Sequence, residues 1–254
     1  MADEQPDGSR SFRGARFSGT DFRGATFRDC DLRNAKLVDC WLEDVDLSGL
    51  VGRLVVNDVD VTDFVEAELE RRHPERVQLR EMTTADDHRA MWDTVEGLWA
   101  KTVERARRLP EALRQERVDD EWSFVETLRH LVFCTDAWVS RTVLDQERPY
   151  AALGYTHSGY PRDDALALGI DLDARPTFDE VLAVRADRMA VVRRIVDGLT
   201  DAGLARLCTR PPAPGYPLEP RTVGKCLHVV MVEECEHHRY ATRDLAVLEV
   251  RADR

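Results

Sequence analysis

From Phe12 onward a large apolar residue returns at every fifth position: Phe12, Phe17, Phe22, Phe27, Leu32, Leu37, Leu42 and Leu47. Two positions before each one after the first stands a small or β-branched residue: Ala15, Thr20, Ala25, Cys30, Ala35, Cys40 and Val45. Neither the helical period nor the strand period gives this spacing, so the segment is an internal repeat. Both positions are predicted to point inward, leaving Arg13, Arg23, Arg28, Asp29, Arg33, Asp39 and Glu43 to face water.

Beyond the repeat the pattern changes. The stretch LVVNDVDVTDFVEAELERRHPER predicts a short strand or loop, then a helix over about 65–72, stopped near Pro74. From Thr83 a helical period takes over, with Met91, Val95, Leu98, Trp99, Val103 and Ala106 on one face and an end near Pro110. A second long helix is predicted over about 122–144, started by Asp119 or Asp120 and ended before Arg148 and Pro149. A third begins at the start signal Pro176-Thr177-Phe178-Asp179-Glu180 and runs to Leu199. The fourth covers about 221–249, after the proline-rich RPPAPGYPLEP. Four long helices with long connections predict a four-helix bundle. The connection over 149–176 is too long for a simple turn and is a candidate to line a site. The expected organisation is a disordered 1–9, a repeat over 10–50, a connecting strand or loop and short helix over 51–82, and a bundle over 83–254.

Composition narrows the function classes. A formal charge of −12 disfavours a nucleic-acid backbone or an anionic membrane surface as partner. No apolar run approaches the length that crosses a bilayer. The six cysteines form no CxxC pair and follow no secretory apolar region, which predicts reduced thiols in a cytoplasmic protein.

Candidate chemistry concentrates on the last helix, in EECEHHRYATRDL. Glu233 and His237 are four residues apart and share a face, and Glu234 with His238 forms a second pair rotated by about 100°. A carboxylate and an imidazole one turn apart can bind one divalent ion. On the second helix His130 lies at the edge of an apolar stripe with Phe124, Thr127, Leu131 and Cys134, where it can supply a third ligand from a facing helix. Three protein ligands leave a position open for water or substrate. The stripe Leu227, Met231, Glu234, His238, Ala241, Leu245 favours the second pair as the inward one, so the register stays open between the two.

Two resemblances add to this reading. The segment FSGTDFRGATFRDCDLRNAKL resembles the pentapeptide-repeat family, which implies a short right-handed β-solenoid of about two turns, suited to docking a protein partner or to self-association. WSFVETLRHLVFCTDAW together with EECEHHRYATRDLAVLE resembles the DinB-like metalloprotein superfamily, whose relatives include mycothiol-dependent maleylpyruvate isomerases. The implied fold is mostly α, a DinB-like four-helix bundle preceded by the solenoid. The implied ligands are His130, Glu233 and His237, with Glu234 and His238 as the alternative register, and Tyr240 and Asp244 are candidates to orient them. Where relatives carry Trp after the two acids, this chain has Cys235. The implied cofactor is a divalent transition metal, zinc or nickel, and the implied cosubstrate a low-molecular-weight thiol of the mycothiol or bacillithiol type. The expected activity is S-transfer to, or isomerisation of, a small electrophile. The alternatives are a non-enzymatic, stress-related metal- or metabolite-binding protein docked through its repeat, or a hydrolase using bound water. His157 in the long connection is a further candidate to approach the open position, while Glu126 reads as a helix-surface acid.

Overall fold

The computed structural model describes residues 11–252. The disordered stretch expected at 1–9 lies outside the described residues. The chain divides into two compact units, Met1–Leu47 and Ser48–Arg254.

In the first unit the five-residue period is carried by the backbone. A left-handed φ recurs at Gly14, Gly19, Gly24, Asp29, Asn34, Asp39 and Asp44, each five residues after the last. Glycine, asparagine and aspartate are the residues that tolerate this conformation, so the polar positions of the repeat set its corners. The four phenylalanines pack ring to ring, with successive centroids 5.9, 5.5 and 6.1 Å apart. The expected inward burial is not reached: the large residues of the repeat are between 47% and 71% exposed. No strand occurs among the described residues before Val55. A stack of repeats covers its apolar column with neighbouring turns, and a short stack leaves most of that column uncovered.

The second unit opens with a hairpin, β1 (Val55–Val56) and β2 (Val59–Asp60). It is followed by α1 (Thr62–Arg72), α2 (Glu75–Glu81), α3 (Ala85–Arg107) and the single turn α4 (Glu111–Arg114). Pro74, expected to end a helix, also opens α2, because a proline at a helix start gives up only an N–H that has no partner there. Next come α5 (Phe124–Thr135), which continues directly as a π-helical segment over Asp136–Val143, and the short α6 (Arg162–Ala167). The last elements are α7 (Phe178–Asp197), α8 (Asp201–Leu204), β3 (Leu207–Cys208), β4 (Arg221–Thr222) and α9 (Val223–Ala252). β3 pairs with β4 and closes the proline-rich loop at the foot of α9.

α3, α5, α7 and α9 form the four-helix body, with α5 against α7 and α9, and α3 against α9 and α7. Their shared core includes Trp92 and Trp99 of α3, Leu128 and Leu131 of α5, Val181 and Val192 of α7, and Leu227, Met231 and Leu245 of α9. Three of these helices start with a reciprocal capping box: Thr84 with Asp87, Ser123 with Glu126, and Thr177 with Glu180. Each satisfies otherwise unpaired backbone N–H groups and contributes about 1 kcal/mol. The start of α5 is therefore Ser123, not Asp119 or Asp120. Glu126 is a capping residue tied to Arg117 at 2.7 Å, not a free surface acid.

The long connection is held from below by Arg129. This buried guanidinium donates to the carbonyls of Leu153, Ala174, Gly154 and Asp171 at 2.9, 2.9, 3.3 and 2.6 Å, and it lies 5.0 Å from the centre of the Tyr155 ring. Asp136, also buried, accepts from Arg188 at 2.7 Å and from the Ala151 backbone N–H at 2.8 Å. Both ends of the loop are thus fixed to α5 and its π-helical continuation.

Candidate metal centre

His130 is buried on the face of α5 that meets α9. Its Nδ1 lies 3.0 Å from the Tyr155 carbonyl, so Nδ1 carries the proton and Nε2 presents a lone pair toward α9. One turn further along α5 the Cys134 sulfur lies 3.2 Å from that Nε2. From α9, Glu233 Oε2 approaches His130 Nε2 at 3.5 Å and His237 Nε2 at 3.2 Å. The two imidazole rings are 4.8 Å apart. Among the described residues, His130, Cys134 and Glu233 form a group in which one donor atom from each lies within 4.8 Å of the others. His237 stands outside that three-way group and joins it through Glu233.

The surroundings set the protonation of these groups. Burial is the main cause that lowers His130 below its ordinary pKa and keeps it neutral. Burial alone would raise the Glu233 carboxyl, but His130 and His237 outweigh it and hold the group well below the usual carboxylate range. Burial, then the charges of Glu233 and Glu234, push the Cys134 thiol well above its ordinary value. Trp122 walls the centre, 4.6 Å from the His130 ring and stacked on His237 at 5.6 Å with an 18° tilt. Tyr155 meets Trp122 edge-on at 5.7 Å. Tyr216 of the proline-rich loop meets Trp138 edge-on at 5.8 Å, and burial is the main cause that raises its phenol to about 12.

The other expected residues have different partners. The carboxylate of Glu234 is gripped by Arg185 of α7, with both side chains buried. His238 Nε2 is 2.8 Å from Thr102 Oγ1 of α3, and its ring meets Trp99 edge-on at 5.4 Å. The two pairs on α9 therefore face different helices, Glu233 and His237 toward α5, Glu234 and His238 toward α3 and α7. Tyr240 touches the His237 ring edge-on at 6.1 Å under a stacked Arg239, while Asp244 is held by Arg243 at 2.7 Å. His157 is exposed and near the Tyr160 ring, 5.4 Å away.

Sequence reasoning read Cys134 only as part of an apolar stripe. Its signal was present, since Cys134 follows His130 by one turn. Arg129, Trp122 and Tyr216 carried no periodic signal and were not anticipated.

The donor set suits a borderline transition metal. Ligand bonds of about 2.0–2.3 Å at the tetrahedral angle place neighbouring donors roughly 3.3–3.6 Å apart. Three of the separations, 3.5, 3.2 and 3.2 Å, are close to those edges, while the group of His130, Cys134 and Glu233 as a whole spans up to 4.8 Å. The Tyr155 carbonyl supplies the outer contact that metal-bound histidines commonly make.

The family comparison agrees with the helical architecture. The model of the DinB superfamily matches residues 94–241, more than half of the chain. This chain belongs to the DinB superfamily. Residues 11–49 match eight copies of the pentapeptide repeat, so this DinB protein carries a repeat before its bundle. No curated protein matches the chain. Among solved structures, an uncharacterized protein from Clostridium difficile 630 is 15% identical with a TM-score of 0.45, covering 64% of this chain and 95% of its own. A protein from Streptococcus pneumoniae is 18% identical with a TM-score of 0.47, covering 70% of this chain and 98% of its own.

Proposed function

We propose that this DinB superfamily protein is a metal-dependent enzyme that holds one divalent transition metal, zinc or nickel, at His130, Glu233 and His237. On this reading it activates a low-molecular-weight thiol of the mycothiol or bacillithiol type for S-transfer to, or isomerisation of, a small electrophile. The observation that carries the proposal is the single carboxylate oxygen of Glu233 facing the Nε2 atoms of both His130 and His237, at 3.5 and 3.2 Å.

A divalent ion at such a site lowers the pKa of a coordinated thiol, so that its thiolate is available near neutral pH. The chain's own residues do the rest. The Tyr155 carbonyl fixes the His130 tautomer and aims Nε2 at the centre. Trp122, stacked on His237, excludes water from one side and stiffens the second imidazole. Tyr216, whose phenol burial raises to about 12, is protonated at neutral pH and is a candidate donor to a polar group of the electrophile.

Elemental analysis of protein purified without chelator tests the reading. About one equivalent of zinc or nickel is expected in the parent, with loss in His130→Ala and His237→Ala. A parent that takes up no metal after reloading overturns it. Consumption of an electrophilic reporter that proceeds equally well without added thiol would instead favour hydrolysis.

A second reading concerns the repeat. Trp41 is 96% exposed, beside a column of half-exposed phenylalanines and leucines. On this reading residues 11–49 wind as a short right-handed solenoid and act as a docking module for a protein partner or a second copy, with no chemistry of their own.

A further inference from the structure

Cys134 has no part in the three-ligand reading, yet it is buried against it. Its sulfur is 3.2 Å from the atom through which His130 would bind a metal, and it completes a group with Glu233 in which all donors lie within 4.8 Å. His237 lies outside that group and reaches it through Glu233 at 3.2 Å, so a metal held by His130, Glu233 and His237 would have Cys134 as the remaining donor at hand. Four protein donors make a closed zinc site, whereas three leave it open. The other buried cysteines, Cys208, Cys226 and Cys235, are not members of this group.

We propose that Cys134 is a resident sulfur donor that fills the fourth position of the centre at rest, and that the incoming low-molecular-weight thiol takes its place. The proposal rests on the metal reading given above. In the exchange the bond from the metal to the Cys134 sulfur breaks, the bond to the incoming sulfur forms, and the proton of the incoming thiol passes to Cys134. No oxidant or reductant is required, and the charge at the centre is unchanged.

Two properties follow from the chemistry. A thiolate among the donors favours zinc, cobalt or nickel over manganese or magnesium, which prefer oxygen. A resting centre closed by sulfur leaves no position for water, so the site discriminates against hydrolysis until a thiol arrives. α5 places the cysteine one turn from His130 on the same face, so a change of side-chain rotamer is the movement that would bring its sulfur to the shared centre.

The test is cobalt(II) substitution of the full chain in thiol-free, oxygen-free buffer, read by absorption and by elemental analysis. The parent is expected to show a sulfur-to-cobalt charge-transfer band in the near ultraviolet. Cys134→Ala is expected to retain cobalt, lose the band, and regain it when 2-mercaptoethanol is added. Loss of a direct ligand should weaken cobalt binding beyond the roughly 10- to 100-fold cost of losing an outer contact. Cys235→Ala should match the parent. Cobalt bound without a sulfur band in the parent, or a band that survives in Cys134→Ala, overturns the proposal and leaves the metal centre standing. A parent that binds no cobalt overturns both. Should Cys134→Ala fail to keep its helicity, X-ray absorption of the zinc-loaded parent decides: one sulfur at about 2.3 Å supports the proposal, and none overturns it.

Discussion

Arg185 of α7 grips Glu234 of α9 through both carboxylate oxygens, and the two side chains are 3% and 1% exposed. The adjacent Glu233 faces His130 and His237 instead. Two neighbouring acids therefore have different partners: one neutralises a buried cation and the other faces two imidazoles. Removing one partner of a buried pair leaves an uncompensated charge and costs about 3–5 kcal/mol. Glu234→Ala is expected to lose that much stability by urea denaturation while its folded fraction keeps metal. Glu233→Gln is expected to lose the metal. A Glu234 variant that is stable but empty would mean the other register binds.

How much of this could be read from the sequence depends on whether a feature repeats locally. The start of α7 was legible because Thr177 and Glu180 form a capping box within one turn. His130, Glu233 and His237 were legible as ligand types at ligand spacing. Which of the two acids faces His130 was not, because Glu234 and His238 are engaged by Arg185 and Thr102, which lie on other helices and follow no shared pattern with α9. The π-helical segment after Thr135 has no sequence signature; it shows only in bonds such as Leu144 N–H to the Val139 carbonyl, 2.9 Å. The five-residue period of the repeat was plain, yet its exposure was not, since burial there depends on how many turns stack.

Arg129 links the long connection to the centre. Its guanidinium holds four backbone carbonyls of that loop, and the next residue along α5, His130, is oriented by Tyr155 of the same loop. Arg129→Met keeps the stem but removes this donor from all four carbonyls, of which Ala174 keeps a second one from Arg175 at 3.2 Å. The expected result is faster proteolytic cleavage within 149–176 and metal affinity about 10- to 100-fold weaker, as for loss of an outer-contact partner. Unchanged cleavage and unchanged affinity would show that the loop is held by other means.

Acid sensitivity follows from the buried histidines. In metal-free protein His130, His228 and His238 all titrate below the ordinary 6.5, and burial is the main cause in each. Unfolding returns each to its ordinary value, so below that pH the unfolded chain binds more protons than the folded one. The stabilisation is present above 6.5 and is lost as pH falls through the lowered folded values. Glu233 adds a loss of the same sign below its ordinary 4.5. Asp136 and Asp244, raised by burial, act in the opposite sense, with their contribution falling as pH rises past 3.8. With chelator present, the urea midpoint should fall steadily from about pH 7.5 to about pH 5. A midpoint that rises over that range would contradict the assignment of neutral buried histidines.

Metal binding should itself report the ligands through stability. A ligand that binds only the folded state stabilises it by about 2.7 kcal/mol at one hundred times its Kd. Zinc added to metal-free protein is therefore expected to raise the thermal midpoint of the parent by several degrees. His130→Ala and His237→Ala should show no shift, because each removes an Nε2 that faces Glu233. His157→Ala should shift like the parent, since its ring is exposed and its Nδ1 lies 2.8 Å from the Ser158 carbonyl. His238→Ala separates the two registers most directly: its ring packs on Trp99 and meets Thr102, so the variant should start from a lower midpoint and still gain the full zinc shift. If His238→Ala loses the zinc shift and His237→Ala keeps it, the metal belongs to the face of α9 that meets α3.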